Sequence, residues 1–357
     1  MASLQIMEQI LELAKWAPSG DNTQPWRFEI LNERHVAVHG FDTRADCVYD
    51  LQGHASQIAL GALLENIAIS ASGHALRTDI SYRTDSDEEH PVFDVHFSDD
   101  PALHPDPLLP HILNRSVQRR PLSTRLLTTP EKDELAASLG PQFRVLWAEG
   151  FSKKIAMARI LSDAGKLRLT IPEAYQVHRK IIHWGMKFSE DRVPDKAIGL
   201  DALTLILMRW VMGSWKRVEF FNTFLAGTIL PRLQLDIIPG LACGAHFFII
   251  PGEKPLSLLD YVMAGRNVQR FWLTATKLEL QLQPEMSPLI FRKYVINSIS
   301  VSQHSGADES ARKISHAMDQ LIEDADGKLV FMGRIGAGLA PTARSLRLPL
   351  DRLKQLY

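Results

Sequence analysis

Ala17-Pro18-Ser19-Gly20-Asp21-Asn22-Thr23-Gln24-Pro25-Trp26-Arg27-Phe28 is the stretch on which the reading of this chain turns. It is a helix terminus, then small hydrogen-bonding side chains, then an aromatic strand. Upstream, Met7, Ile10, Leu11 and Ala14 recur at helical spacing, and Pro18 ends that helix. Ser19, Asn22 and Gln24 offer donors and acceptors to a planar heterocycle, while Pro18 and Pro25 stiffen the turn. An ordinary helix-to-strand loop has the same composition, and the residues alone leave both readings open.

Outward from this stretch, 27–31 and 35–39 read as strands joined by Asn32-Glu33-Arg34. A second helix carries Leu60, Leu63, Leu64, Ile67 and Ala71 on one face, with Ser56 as its cap and Gly73 at its end. Further strands are expected at 76–82 and 92–97. From Thr84 to Asp106 the chain is acidic, punctuated by prolines and free of Lys and Arg, which places a surface boundary near 98–108. The next stretch is basic, with Arg115, Arg119, Arg120 and Arg125. A helix opens at Pro130-Glu131 and runs to Leu139, and 143–147 is a strand. Residues 151–235 lose the regular alternation and hold Trp184, Trp210 and Trp215. Strand 246–250 follows, then a helix with Val268, Phe271, Trp272 and Ala275 on one face. A polar loop with one helix is expected at 302–326 and a last strand at 328–332. Gln57-x2-Leu60 and Gln269-x2-Trp272 are loosely alike, which hints at an internal duplication.

Composition narrows the class. A length of 357 residues allows one large domain or two ordinary ones, and 45% hydrophobic with 23% charged residues is a globular balance. Lys+Arg at 40 against Asp+Glu at 41 argues against a general polyanion binder, so no nucleic-acid partner is expected. Cys47 and Cys243 are the only cysteines, which excludes a disulfide framework and a four-thiolate zinc site and fits a reduced cytoplasmic setting. Residues 1–5 lack the features of a signal peptide, and the longest apolar run, 202–212, is cut by Arg209 and short of the ~20 residues of a membrane span.

No metal site is expected. His35 and His39 share a strand face without a third ligand, and His178 and His183 do not share a helical face. A P-loop and a nucleophile elbow are absent, and the glycines at 333, 336 and 338 have the wrong order for a dinucleotide fingerprint.

The stretch 17–28 closely resembles the flavin-binding loop of the nitroreductase superfamily, helix-Ala-Pro-Ser-Gly-x-Asn-x-Gln-Pro-Trp-x-Phe. That family's phosphate-gripping Arg-x-Ser-x-Arg element lies upstream of the loop. Here a similar element stands downstream, as Asn114-Arg115-Ser116-Val117-Gln118-Arg119-Arg120-Pro121. The displacement resembles the tandem, single-chain (Acg-type) branch, in which two degenerate halves imitate the usual homodimer. Ala264-Gly265-Arg266-Asn267-Val268-Gln269-Arg270 resembles the family's core helix. Gly333-Arg334-Ile335-Gly336, with Pro341 and Arg344 to Arg347, resembles its last strand and phosphate-side tail. The usual Gly-Leu-Gly after the core helix reads Leu278-Glu279-Leu280.

The resemblance implies an α+β, nitroreductase-like fold in which two degenerate halves form an intramolecular pseudo-dimer with mixed sheets flanked by helices. Residues 1–107 would be the first half and 108–357 the second, with a helical lid or insertion at 151–235. It implies FMN as cofactor, with NADH or NADPH as a possible electron donor. Pro18, Ser19, Asn22, Gln24, Arg115, Ser116, Arg119, Arg334 and Arg347 would bind the cofactor. Guanidinium is the best bidentate partner for a phosphate, and a flavin carries its own redox chemistry, so no catalytic triad is expected. Tyr175, His178, Trp184 and Trp215 would face a small aromatic, quinone, nitro or heterocyclic substrate. A functional link to a ThiF-like adenylating enzyme and a monomer or homodimer follow from the same branch. One rival is a non-catalytic protein that sequesters FMN under a lid. Another places 200–231 on a membrane or partner surface, since Trp210, Trp215, Phe220, Phe221 and Phe224 stand near Lys216 and Arg217.

Overall fold

Two four-stranded antiparallel sheets, each with a long helix against one face, organise the chain. The structure, a computed structural model, describes residues 3–322 and 327–355. In the first half α1 (Leu4–Ala14) leads into β1 (Trp26–Asn32) and β2 (His35–Gly40), then α2 (His54–Ser72), β3 (Leu76–Tyr82) and β4 (Val92–Asp99). The strands lie in the order β1-β2-β4-β3.

The second half repeats this plan with additions. After α3 (Thr129–Ala137) and β5 (Phe143–Ala148) come α4 (Phe151–Thr170), α5 (Pro172–Ile181), the two-residue strands β6 (Ile182–His183), β7 (Phe188–Ser189) and β8 (Val193–Pro194), α6 (Ala202–Val211), α7 (Trp215–Phe224), α8 (Ile229–Arg232) and α9 (Ile238–Leu241). Then follow β9 (Ala245–Pro251), α10 (Leu258–Lys277), β10 (Leu280–Pro284), α11 (Met286–Ile296), α12 (Ala307–Leu321) and β11 (Phe331–Ala337). Their sheet runs β5-β9-β11-β10, the same outer-inner-inner-outer order as the first. A tight turn joins β1 to β2, whereas the equivalent β5 and β9 are separated by the whole block from α4 to α9. The result is an α+β fold. Among the described residues, parallel pairing is confined to β6 with β8, β7 with β12 (Arg344–Ser345), and the Val117–Leu282 bridge beside the second sheet.

Burial follows from what covers each sheet. On β4, Phe93, Val95 and Phe97 point into the first core while alternate residues are less buried, because one face is packed and the other is not. On β9 every residue is buried, since α10 packs on one face and α4, α11 and α12 cover the other. A run without alternation is the expected signature of a strand covered on both sides.

The two long helices cross through glycine. A Cβ on Gly61 would lie 1.9 Å from the Val262 carbonyl oxygen, and one on Gly265 would lie 2.0 Å from that of Ile58. Each glycine therefore meets the carbonyl of the residue three before the other, a reciprocal contact with two-fold character. This register sets Gln57 opposite Tyr261 in the duplication, so the sequence pairing of Gln57 with Gln269 was displaced. Asn66 instead accepts from Gln269 Nε2 at 2.7 Å across the crossing.

Local expectations shift in two places. Ser56 does not cap α2: Gly53 holds the cap in the left-handed region, and the Ser56 hydroxyl donates to Asp50 at 2.6 Å. The last sheet strand starts at Phe331, beyond the 328 expected from the sequence. The one helix expected within the polar segment 302–326 is α12, and residues 323–326 lie outside the described residues. Finally, the chain turns back after β11. In α13 (Leu350–Leu353), Leu350 and Leu353 join Met7 and Phe28 in the first core.

Candidate active site

The loop after α1 has a strained backbone. Asp21, Asn22 and Gln24 all sit at positive φ (52°, 63° and 49°), a region that Asp and Asn tolerate better than most residues. Three groups of bonds hold it there. The Ser19 hydroxyl accepts from the Gln24 amide at 3.0 Å. Gln24 Nε2 donates to the Glu190 carbonyl at 2.8 Å, and Asn22 Nδ2 donates to the same oxygen at 3.0 Å. From the C-terminal segment, Leu348 N donates to Gln24 Oε1 at 2.9 Å, and Arg347 donates to Asn22 Oδ1 at 2.8 Å and to the Ala17 carbonyl at 2.7 Å. Pro18, Ser19 and Asn22 thereby line a cavity of about 390 Å³, while Gln24 is fully buried behind them.

Basic side chains converge on this cavity. Arg115 is 2% exposed, donates to the Trp16 carbonyl at 2.9 Å and lies 4.7 Å over the Trp272 ring. Arg344 lies 4.8 Å over Trp16 and donates to the Arg115 carbonyl at 3.2 Å. The buried Arg347 completes the group. Among the described residues none of the three has a carboxylate within 4.0 Å, and the Nε atoms of Arg115 and Arg344 have no hydrogen-bond partner. Burial, reinforced by Arg347 and Arg344, holds the Arg115 pKa well below the guanidinium range. Burial and then Arg344 bring Arg347 down to about 9. Both shifts record positive charges desolvated beside one another.

Elsewhere on the wall, Ser116 and Arg119 face the same cavity. Burial lowers Arg119 to about 10, opposed by Asp21 and aided by Arg334 and Arg168. Burial lifts the Asp21 carboxyl to about 6, with Arg119 and Arg168 pulling the other way. Tyr49, His54 and Lys293 also contribute, and the His54 ring stacks on Tyr261 at 3.7 Å. His178 lies 3.2 Å from the Tyr49 hydroxyl. Burial drives both histidines down to about 3, so each imidazole is neutral at ordinary pH.

Other residues expected at the site lie elsewhere. Arg334 does not line the cavity: it donates to Glu285 Oε1 at 2.9 Å and to the Arg119 carbonyl at 2.7 Å. Glu285 in turn lies 2.7 Å from His246 Nδ1, so Arg334 belongs to a buried ion network. Tyr175 points its hydroxyl at the Met212 carbonyl and packs on Trp215 at 5.3 Å. Trp184 and Trp215 pack against the Tyr175, Met212 and Val218 cluster and do not reach the cavity. Of the four residues expected on the substrate side, His178 alone lines it. Conversely, Arg168, Tyr49 and His54 line the wall without having been singled out, and Arg344 and Trp272, read only as part of the phosphate-side tail and of a helix face, join them, because segments distant in sequence bring them there. Glu279 takes φ 57°, keeping the left-handed backbone that glycine favours at the place of the missing Gly-Leu-Gly.

With this geometry in hand, two similarities become informative. Residues 3–69 match the model of the Nitroreductase family, a span that holds α1, the strained loop, β1, β2 and most of α2. Over 291 residues, 79% of this chain, the sequence is 23% identical to an uncharacterized protein of Mycobacterium tuberculosis (strain CDC 1551 / Oshkosh), and the match spans 39% of that relative's length.

Proposed function

We propose that this nitroreductase-like chain is an FMN-dependent oxidoreductase in which residues 1–107 and 108–357 act as two halves around one site. The observation that carries the reading is the cluster of Arg115, Arg344 and Arg347, without a carboxylate, on a cavity otherwise lined largely by apolar side chains. A ligand with a phosphate at one end and a planar, largely apolar body suits that division, and FMN has this form. A phosphate monoester carries about −1.5 to −2 charge at neutral pH, which matches guanidinium donors short of acceptors. When bound, FMN would supply the two-electron redox chemistry.

The chain's own residues would bind, orient and seal. Arg115, Ser116, Arg119, Arg344 and Arg347 would hold the phosphate end. Pro18, Ser19 and Asn22 would form the wall beside the ring, with Gln24 bracing the loop from behind. Val268 and Trp272 of α10 offer an apolar surface. Asp21, with its pKa lifted to about 6, can hold or release a proton near neutrality. Neutral His54 and His178 can donate or accept hydrogen bonds without adding charge. Segment 151–235 walls the cavity through Arg168, His178, Val193 and Met208. NADH or NADPH as donor and a small aromatic, quinone, nitro or heterocyclic acceptor belong to the same proposal.

The test is to reconstitute the purified protein with FMN, remove unbound flavin, denature and chromatograph. About one FMN per chain is expected, and bleaching of its absorbance by dithionite or a reduced nicotinamide would follow. Recovery of FAD, or no bound flavin after reconstitution, overturns the reading.

A further inference from the structure

The helices α6, α7 and α8 are built the wrong way round for water. In α6 the one buried side chain is Thr204, while Leu203 is 79% and Ile206 68% exposed and Trp210 is also exposed. In α7 only Val218 is buried, and Phe220 and Phe224, the latter 71% exposed, face outward. In α8 no residue is buried, and Ile229 and Leu230 are exposed. Aromatic contacts make the patch continuous from α6 to α7: Trp210 lies 5.7 Å from Phe221, and Phe220 lies 5.3 Å from Phe224. Large contiguous apolar patches on a protein surface mark interaction sites.

Two further observations identify what covers it. First, the charges on α6 and α7 are Arg209, Lys216 and Arg217 against Glu219, in a chain whose net charge is −1. Arg217 lies 4.6 Å over the exposed Trp210 ring, so cation and aromatic body stand together. Trp and cations over an apolar face form the arrangement that lies in the headgroup layer of an anionic bilayer. Second, a cavity of about 220 Å³ lies under the patch, lined by Leu207, Val211, Phe221, Leu225 and Leu230. A flexible acyl chain can enter such a space. Among the described residues no helix is long and apolar enough to cross a membrane, so contact would be peripheral.

We propose that α6–α8 seat the protein on an anionic lipid surface, with the aromatic face in the headgroup layer and an acyl chain in the cavity beneath. This goes beyond the flavin reading and does not depend on it.

The experiment is flotation of the full chain with phosphatidylcholine vesicles, with and without about 30% phosphatidylglycerol. Wild type floats, and more strongly with the anionic lipid. Leu203→Gln/Ile206→Gln/Phe220→Gln/Phe224→Gln, all at exposed positions, lowers partitioning by at least about 100-fold. Arg209→Gln/Lys216→Gln lowers it by about five-fold per cation on anionic vesicles and leaves neutral vesicles unaffected. Circular dichroism and thermal melting of both variants match wild type. Absence of wild-type flotation overturns the proposal, as does equal flotation of the quadruple variant. A wild type that ignores vesicles but forms a dimer which the quadruple variant lacks assigns the face to a second copy and also overturns it. Flotation reads the same on flavin-free protein, so failure of FMN binding leaves this outcome independent.

Discussion

Arg334 on one hand, and Arg115, Arg347 and the half-buried Arg344 on the other, are balanced in opposite ways. Arg334 meets Glu285, which also meets His246, and the three form a compensated network inside the second half. Among the described residues, Arg115, Arg344 and Arg347 bond only to carbonyl oxygens and one amide oxygen, and they rest on aromatic faces. Charge buried with its counter-charge belongs to the architecture, and its removal destabilises the fold. Charge buried without one costs stability in the free protein and is recovered when an anion arrives. Residue type does not separate these roles, and the presence of a carboxylate does.

The sharpest way to break the contrast is Glu285→Ala. It leaves Arg334 and His246 buried without their partner and is expected to cost about 3–5 kcal/mol in urea unfolding. A loss below about 1 kcal/mol would remove the distinction between the groups. Next in size, Arg115→Ala and Arg347→Ala should each weaken FMN binding by about 10- to 100-fold, as loss of a charge-assisted contact of about 1.5–3 kcal/mol implies. Unfolding of flavin-free Arg115→Ala should be no easier than that of wild type, whereas Arg347→Ala also removes the bonds to Asn22 and Ala17 and should unfold more easily. Wild-type affinity in Arg115→Ala would disconnect the arginine group from the cofactor.

A pH series sharpens the compensated side. Burial alone would lower His246, but the Glu285 carboxylate outweighs it and lifts the imidazole to about 10 from its ordinary 6.5. The stabilisation is therefore fully present below pH 6.5 and is lost as pH rises through about 10. The expected slope approaches about 1.4 kcal/mol per pH unit for one proton. Comparison of wild type with Glu285→Gln across that window isolates it, and parallel curves would refute it. The smallest effect is expected from inorganic phosphate. At about ten times its dissociation constant it should stabilise the flavin-free protein by about 1.4 kcal/mol, and Arg115→Ala/Arg347→Ala should abolish the gain. Equal stabilisation of wild type and variant would locate the anion elsewhere.

How much of this was legible in the sequence depended on distance along the chain. The loop at 17–28 and the Arg115 to Arg119 element are local patterns, and both contribute to one cavity. Arg334 reads as a cofactor-binding residue of the last strand because its partner, Glu285, stands just past the end of β10, where the sequence does not pair the two. Arg344 and Trp272 reach the cavity by tertiary placement, and Asp21 sits inside the quoted motif but gains its perturbed carboxyl from burial beside Arg119 and Arg168. Trp184 and Trp215 have the right chemistry for stacking on a planar ligand, yet the helices of the insertion use them as their own core. The insertion was visible as a break in alternation, but the exposure of its aromatic face appears only when the helices are set in place. Helix α2 illustrates the same limit. Its pattern showed one apolar face, whereas α10 covers another and 16 of its residues are buried.

That crossing also has a consequence for synthesis. α2 leaves the ribosome with a face shaped for a helix about 200 residues away, and at ~5–20 residues per second that partner follows about 10–40 s later. During the interval the glycine-bearing face is exposed, and a premature partner would be another nascent chain offering the same α2. The linkage that places both halves in one polypeptide thus sets a race between waiting for the correct helix and pairing with a neighbour's first half, and chaperone occupancy of α2 would decide its outcome.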